Sequence, residues 1–112
     1  MTIADVASVL RVIGDRGVLV GSARDGSLFH KDVDVVIKDR QVFRDLLREF
    51  TVLCDSEIPG HLVVRVEPTV EVFEEDTALC ASKQLVTRAY STLRRQSTKR
   101  EIFGVVFRVW NG

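Results

Sequence analysis

Two aspartates separated by one valine, Asp32 and Asp34, stand at the start of an apolar run that continues to Ile37. Residues i and i+2 of a strand project from the same face, so the two carboxylates would lie side by side. Two carboxylates this close repel each other unless a cation lies between them. The pattern therefore predicts a strand that begins at a divalent metal site.

A glycine-serine turn precedes this strand. A short apolar run ends in the pair Gly21-Ser22, and nine residues then lead to the aspartates, too many for a tight hairpin. Glycine lets the backbone approach a phosphate closely, and a serine hydroxyl with free backbone N–H groups can donate to phosphate oxygens. Arg24 and Lys31 lie in the same connection and could neutralise further negative charge.

A third acid, Glu71, lies within the apolar run from Val70 to Phe73. In a mixed sheet that strand can lie beside the aspartate strand, and Glu71 would then face the same way as the two aspartates. Three carboxylates around one point suit Mg²⁺, or Mn²⁺ in its place, because these ions prefer oxygen ligands. Glu67 is a competing candidate, although the proline that follows it favours the end of a strand.

This pattern resembles the signature of the DNA polymerase beta-like nucleotidyltransferase superfamily. Its parts are Gly21-Ser22, a spacer of nine residues, Asp32-Val33-Asp34 and a later acidic strand. Two branches are similar: the head motif of CCA-adding enzymes and bacterial poly(A) polymerases, and the minimal nucleotidyltransferases, some of which pair with HEPN toxins. The Arg-Asp pair lies one residue nearer Gly-Ser than in CCA-adding enzymes. Their base-reading segment and tRNA-binding body have no counterpart in this sequence, so the resemblance does not imply that this protein synthesises tRNA tails.

The resemblance implies a reaction and a role for each residue. Asp32 and Asp34 would hold two magnesium ions, and Glu71 would hold one of them and help to deprotonate the attacking hydroxyl. Gly21 and Ser22 would hold the β- and γ-phosphates of a nucleoside triphosphate. A nucleoside monophosphate would pass to a hydroxyl acceptor on RNA or protein, and pyrophosphate would leave. The alternative is a non-catalytic binding module of the same fold, such as an antitoxin-like regulatory partner.

The predicted fold class is α/β or α+β, with residues 1–112 forming a single nucleotidyltransferase-like domain. A mixed, twisted sheet of four or five strands would carry helices mostly on one side. Helices are predicted to begin after Thr2, Asp39 and Thr77. The ending from Ile102 to Trp110 fits the period of a strand and that of a helix, and a helix is the prediction. Strands are predicted at Val18 to Val20, Asp32 to Lys38, Val52 to Cys54, Leu62 to Val66 and Val70 to Phe73.

Composition narrows the class of protein. The chain is 46% hydrophobic, enough to bury the core of one domain, and its formal net charge of zero gives no electrostatic argument for nucleic acid or an anionic membrane. The sequence has neither a membrane-spanning apolar stretch nor a signal-peptide pattern, so the expected location is the cytoplasm. Cys54 and Cys80 match no metal motif and are interpreted as buried free thiols, and His30 and His61 as surface residues.

Charge and apolar residues are unevenly distributed near the C-terminus. Basic residues dominate from Lys83 to Arg100 without an acid among them, which is typical of a solvated helix face, with phosphate or partner binding as the alternative. The apolar ending from Ile102 to Trp110 predicts a homodimer or a partner protein, because exposed apolar patches mark interfaces. Alternatively, the ending packs on its own sheet and completes a monomeric core, with Trp110 as a packing contact.

Overall fold

The structure is a computed structural model, and it describes residues 3–26, 32–54, 60–75 and 89–112. Within these ranges the α-helices are α1 (Ile3–Ile13), α2 (Gln41–Glu49) and α3 (Tyr90–Arg95). Short 3₁₀ helices lie at Gly14–Arg16 and Ser22–Asp25. The strands are β1 (Gly17–Val20), β2 (Asp32–Ile37), β3 (Val52–Cys54), β4 (His61–Val64), β5 (Thr69–Glu74), β6 (Ser97–Ile102) and β7 (Val105–Trp110).

These seven strands form one mixed sheet in the order β3-β4-β5-β2-β1-β7-β6. β2 runs antiparallel to β1 and parallel to β5, and β7 runs parallel to β1. The predicted mixed α+β class is confirmed, but the sheet is larger than the four or five strands expected. The strands that the sequence analysis missed are β6 and β7.

The C-terminal hairpin shows that the helix predicted from Ile102 to Trp110 is wrong. β6 and β7 pair antiparallel along their whole length, which leaves Phe103 and Gly104 as a two-residue turn. Their φ angles are 52° and 79°, the backbone of the tight turns that join twisted strands. Phenylalanine is uncommon in that conformation, so Gly104 was the only turn signal between the two strands, and the helix prediction passed over it.

One face of the sheet holds the larger core, which is covered by α1 and α2. The helical spacing predicted the buried stripe of α1, and Val6, Leu10 and Ile13 are fully buried. In β2 the core residues alternate, since Val33, Val35 and Ile37 belong to this cluster. The residues between them, including both aspartates, therefore project from the opposite face.

The opposite face is apolar at one end and acidic at the other. Tyr90 and Leu93 of α3 cover its apolar end, where a second buried cluster also contains Val18, Val20, Val36, Phe73 and Trp110. Val36 follows Asp34 by two residues and Phe73 follows Glu71 by two, so these acids lie on the same face as the cluster. The acidic end lies where β2 and β5 begin.

The apolar ending is mostly covered by the chain's own sheet. Ile102, Phe107, Val109 and Trp110 are at most 5% exposed, whereas Val106 is 66% exposed. The structure therefore shows the alternative that was given for this segment. The ending packs on the chain's own sheet, with Trp110 as a packing residue. The ending therefore gives no argument for an interface, and the homodimer or partner protein stays a prediction.

Several predictions concern residues outside the described ranges. They are the cap at Thr2, the start of the third helix at Thr77, the histidine His30, the cation Lys31 and the thiol of Cys80. Of the segment predicted as the third helix, the structure describes Ala89, which is not helical, and the six-residue helix α3 that begins at Tyr90. Within the described ranges, no helix combines the length and the apolar character needed to cross a membrane.

Candidate functional site

Gly21 lies directly beside the carboxylate of Asp34. A Cβ added to Gly21 would lie 2.7 Å from Oδ2 of Asp34, a distance at which one of the two groups must move. Val20 is the cross-strand partner of Asp34, so the chain leaves β1 at the level of this carboxylate. The φ of Gly21 is 77°, which residues with a side chain adopt at a cost. Both the space and the backbone therefore require glycine here.

The three predicted acids emerge from one face of the sheet. In the parallel ladder of β2 and β5, Asp34 lies opposite Glu71 and Asp32 lies opposite Thr69. Cross-strand partners share a face, and so do residues two apart on one strand. The register thus places Glu71 next to Asp34, and Asp32 lies two residues before Asp34 on β2.

His61 is a hydrogen-bond partner of Glu71. Its Nε2 lies 3.2 Å from Oε1 of Glu71, and its ring stacks on Phe73 with the centroids 4.8 Å apart. The side chains of His61 and Glu71 are 9% and 16% exposed, so the contact is largely shielded from water. The prediction that His61 is a surface residue is therefore wrong. The pairing of β4 with β5 brings it to Glu71, and no local sequence signal reports that register.

The donor atoms at the acidic end of this face suit a divalent cation. Carboxylate oxygens are the ligands that Mg²⁺ prefers, and it commonly takes one or two of them while retaining water and substrate phosphates. Asp32 is exposed, whereas Asp34 is half-buried and its Oδ1 is buried. Among the residues that the structure describes, no group of three or more His, Cys, Asp or Glu side chains is already spaced as a metal site. A cation is therefore favoured here only by the chemistry of the donor atoms and by their common face.

Arg24 ties the Gly-Ser turn to the C-terminal strand. Its Nε donates to the carbonyl of Gly21 at 2.8 Å, and its Nη1 donates to the carbonyl of Trp110 at 3.2 Å. The guanidinium also lies 5.1 Å from the centroid of the Trp110 ring, a cation–π contact. Ser22 is exposed beside it, while Lys31, the other predicted cation, lies outside the described ranges.

An open groove of about 400 Å³ runs beside the Gly-Ser turn. The turn and the C-terminal hairpin form its walls, which are lined by Gly21, Ser22, Arg24, Asp25, Arg100, Trp110 and Asn111. Neither Arg100 nor Asn111 was predicted for the site, because a helix was predicted from Ile102 to Trp110 in place of the hairpin that brings both residues to the turn. The only sequence signal for Arg100 was its place in the basic segment, for which phosphate binding was the alternative interpretation.

Asp15 pairs with two cations of that basic segment, Arg94 and Lys99, and with Arg108 of β7. Its carboxylate oxygens lie 2.7 Å from Nη2 of Arg94, 3.1 Å from Nε of Arg108 and 3.9 Å from Nζ of Lys99. The hydrogen bond from Arg94 is the main cause that lowers the pKa of Asp15, and Arg108 and Lys99 lower it further, against a smaller opposing effect of burial. These three cations are therefore held by the protein itself.

Comparisons with family models, with curated proteins and with solved structures give no match for this chain. A function therefore has to be argued from the site itself. Three features bear on that function: the glycine beside Asp34, the acids on one face and the groove next to the turn.

Proposed function

We propose that this protein is a metal-dependent nucleotidyltransferase, which transfers a nucleoside monophosphate from a nucleoside triphosphate to a hydroxyl acceptor on RNA or protein and releases pyrophosphate. The contact between Gly21 and Asp34 is the observation that carries the proposal. An added Cβ would meet Oδ2 of Asp34 at 2.7 Å, so a phosphate lying on the glycine would be next to an acid that can hold its cation.

The order of the strands supports the same proposal. β1 ends in the Gly-Ser turn, the antiparallel β2 begins with the aspartates, and the parallel β5 supplies Glu71 beside Asp34. Turn, aspartate pair and later acidic strand are the parts that the resemblance to the nucleotidyltransferase superfamily implies. A nucleotidyltransferase fold for the sheet and its helices is therefore part of the proposal.

Each residue then has a chemical role. Asp32, Asp34 and Glu71 would hold Mg²⁺ or Mn²⁺, which neutralises the phosphates and stabilises charge on the transferred group. Glu71 also accepts the proton of the acceptor hydroxyl. The hydroxyl oxygen forms a bond to the α-phosphorus while the bond from that phosphorus to the bridging oxygen breaks. Gly21 and Ser22 hold the departing pyrophosphate through backbone N–H groups and the hydroxyl.

A non-catalytic binding module of the same fold, such as an antitoxin-like regulatory partner, is the second candidate. The hydrogen bond between His61 and Glu71 is the observation behind it, because this contact gives the acid a structural role that needs no cation. A module of this kind would bind a nucleotide or a partner protein and would transfer nothing.

Incubation of the purified protein with each α-labelled nucleoside triphosphate separates the two candidates. Mg²⁺ or Mn²⁺ is added, and RNA or the protein itself serves as acceptor. The proposal expects metal-dependent labelling of an acceptor that Asp34→Asn abolishes, since the amide keeps the size of the side chain but loses its charge. Glu101→Gln, which changes an exposed residue of β6, is the control and should retain activity. Nucleotide binding without transfer to any acceptor would favour the binding module.

A further inference from the structure

We propose that the C-terminal hairpin completes the phosphate site, with Arg100 of β6 binding the terminal phosphate of the nucleoside triphosphate in the groove beside Ser22. This inference rests on the proposed function. It adds to the predicted turn a cationic subsite from a different part of the chain, because Arg100 is 78 residues beyond Ser22 and reaches the groove only through the hairpin.

The path of the groove sets the order of the phosphates. Gly21 lies against the carboxylate of Asp34 and also lines the groove. The reacting α-phosphorus belongs next to the acids, since they hold the cations of the reaction. The terminal phosphate is farthest from that atom and lies past the turn. Arg100 pairs with Phe107 and therefore leaves β6 on the face of the larger core, opposite the acids, so it meets this phosphate only through the groove that it lines together with Gly21 and Ser22.

The charges of the groove point to Arg100 as the phosphate ligand. Its lining contains two cations, Arg24 and Arg100, and one acid, Asp25. The guanidinium of Arg24 is occupied by two backbone carbonyls and by the Trp110 ring. Arg100 is exposed and makes no ion pair within the described part of the chain. A guanidinium offers several donors in one plane, which matches the oxygens of a phosphate.

Lys99 provides a matched comparison one residue away. Successive residues of a strand point to opposite faces, so Lys99 and Arg100 leave β6 in opposite directions. Lys99 lies 3.9 Å from Asp15 on the face that also carries Arg108, and it does not line the groove. Both residues are exposed and carry one positive charge, so their substitutions change the net charge equally.

Affinity for ATP and for ADP, each with Mg²⁺, tests the inference. Trp110 is the only tryptophan and lines the groove, so its fluorescence can follow binding, with titration calorimetry as a second measurement. Arg100→Gln should weaken ATP binding by about tenfold, the effect of losing one charge-assisted hydrogen bond. ADP binding should change much less. Lys99→Gln should leave both affinities unchanged, and Arg100→Lys should retain most of the ATP affinity because the charge remains.

Different failures overturn different statements. If the wild-type protein binds neither nucleotide with Mg²⁺ or Mn²⁺, the proposed function and this inference both fail. If it binds ATP but Arg100→Gln and Lys99→Gln behave alike, the subsite alone is wrong. A loss of affinity for single-stranded RNA in Arg100→Gln, with ATP binding intact, would assign Arg100 to an acceptor instead. Urea unfolding of each variant checks that the exposed substitutions leave the fold in place.

Discussion

Nε2 of His61 lies 3.2 Å from Oε1 of Glu71, and the pair is largely shielded from water. A carboxylate that holds a cation is ionised and only accepts hydrogen bonds, so in that state Nε2 of His61 is the donor of this contact. Stacking on Phe73 holds the imidazole in plane, which in turn limits the orientations open to Glu71. Carboxylates that bind metals are commonly held by such a neighbour. We therefore expect His61 to position Glu71 for the cation.

Replacement of His61 tests this role through metal affinity. His61→Ala removes the donor and should weaken Mn²⁺ binding by roughly 10- to 100-fold, the usual effect of losing a partner of a metal ligand. His61→Gln places an amide N–H near the position of Nε2 and should restore part of the affinity. Electron paramagnetic resonance of free Mn²⁺ measures both without any turnover. Equal Mn²⁺ affinity in the wild type and both variants would show that His61 has a packing role only.

Substitution of Gly21 should affect the site as well as the fold. Gly21→Ala places a Cβ 2.7 Å from Oδ2 of Asp34, whereas the same change at Gly104 meets no atom within 4 Å. Both glycines have positive φ, 77° and 79°, so each alanine should cost about 1 kcal/mol in backbone strain. Only Gly21→Ala should also displace the carboxylate and lower Mn²⁺ affinity. Urea unfolding and metal titration of the two variants measure the two effects, and equal metal affinity would contradict the assignment.

The elements that carry the acids could be predicted because their signals are local. An apolar run with alternating aspartates defines β2, a glycine-serine pair marks the turn after β1, and apolar neighbours place Glu71 in a strand. The predictions that failed concern residues whose positions depend on pairing between distant strands. The register of β4 with β5 decides where His61 lies, and the hairpin decides where Arg100 lies. The turn of that hairpin contains Phe103 at φ 52°, a residue with no turn preference, so Gly104 was its only signal and a helical spacing of the apolar residues competed with it.

Trp110 should be a principal contributor to the stability of the hairpin. It is 4% exposed, its indole N–H donates to Oε1 of Gln96 at 3.1 Å, and Arg24 lies on its ring. Trp110→Ala should lower the free energy of unfolding by about 3–5 kcal/mol through the cavity that it leaves. Trp110→Phe keeps most of the burial and should cost clearly less. Urea unfolding followed by circular dichroism measures both, and a loss below about 1 kcal/mol for the alanine would contradict the burial of this ring.

Acid should weaken the contact between the first 3₁₀ helix and α2. The carboxylate of Asp45 accepts hydrogen bonds from Arg16, Gln41 and Arg48, and the bond from Arg16 spans 2.8 Å between the two elements. These bonds, that of Arg16 first, lower the pKa of Asp45 from 3.8 to about 2. A group whose folded pKa is depressed stabilises the fold above its unfolded pKa and loses that contribution as the pH falls. The contribution of Asp45 should therefore be complete above pH 3.8 and disappear toward pH 2.

Urea unfolding of the wild type and of Asp45→Asn between pH 2 and pH 5 checks this expectation. The asparagine cannot ionise, so the difference in unfolding free energy between the two proteins should be constant near pH 5 and shrink as the pH falls toward 2. Glu101→Gln, at an exposed position of β6 outside the ion pairs given above, is the control for removal of one carboxyl group. A difference between wild type and Asp45→Asn that stays the same at every pH would show that the carboxylate of Asp45 contributes nothing through its charge, and that the contact with Arg16 is incidental to the fold.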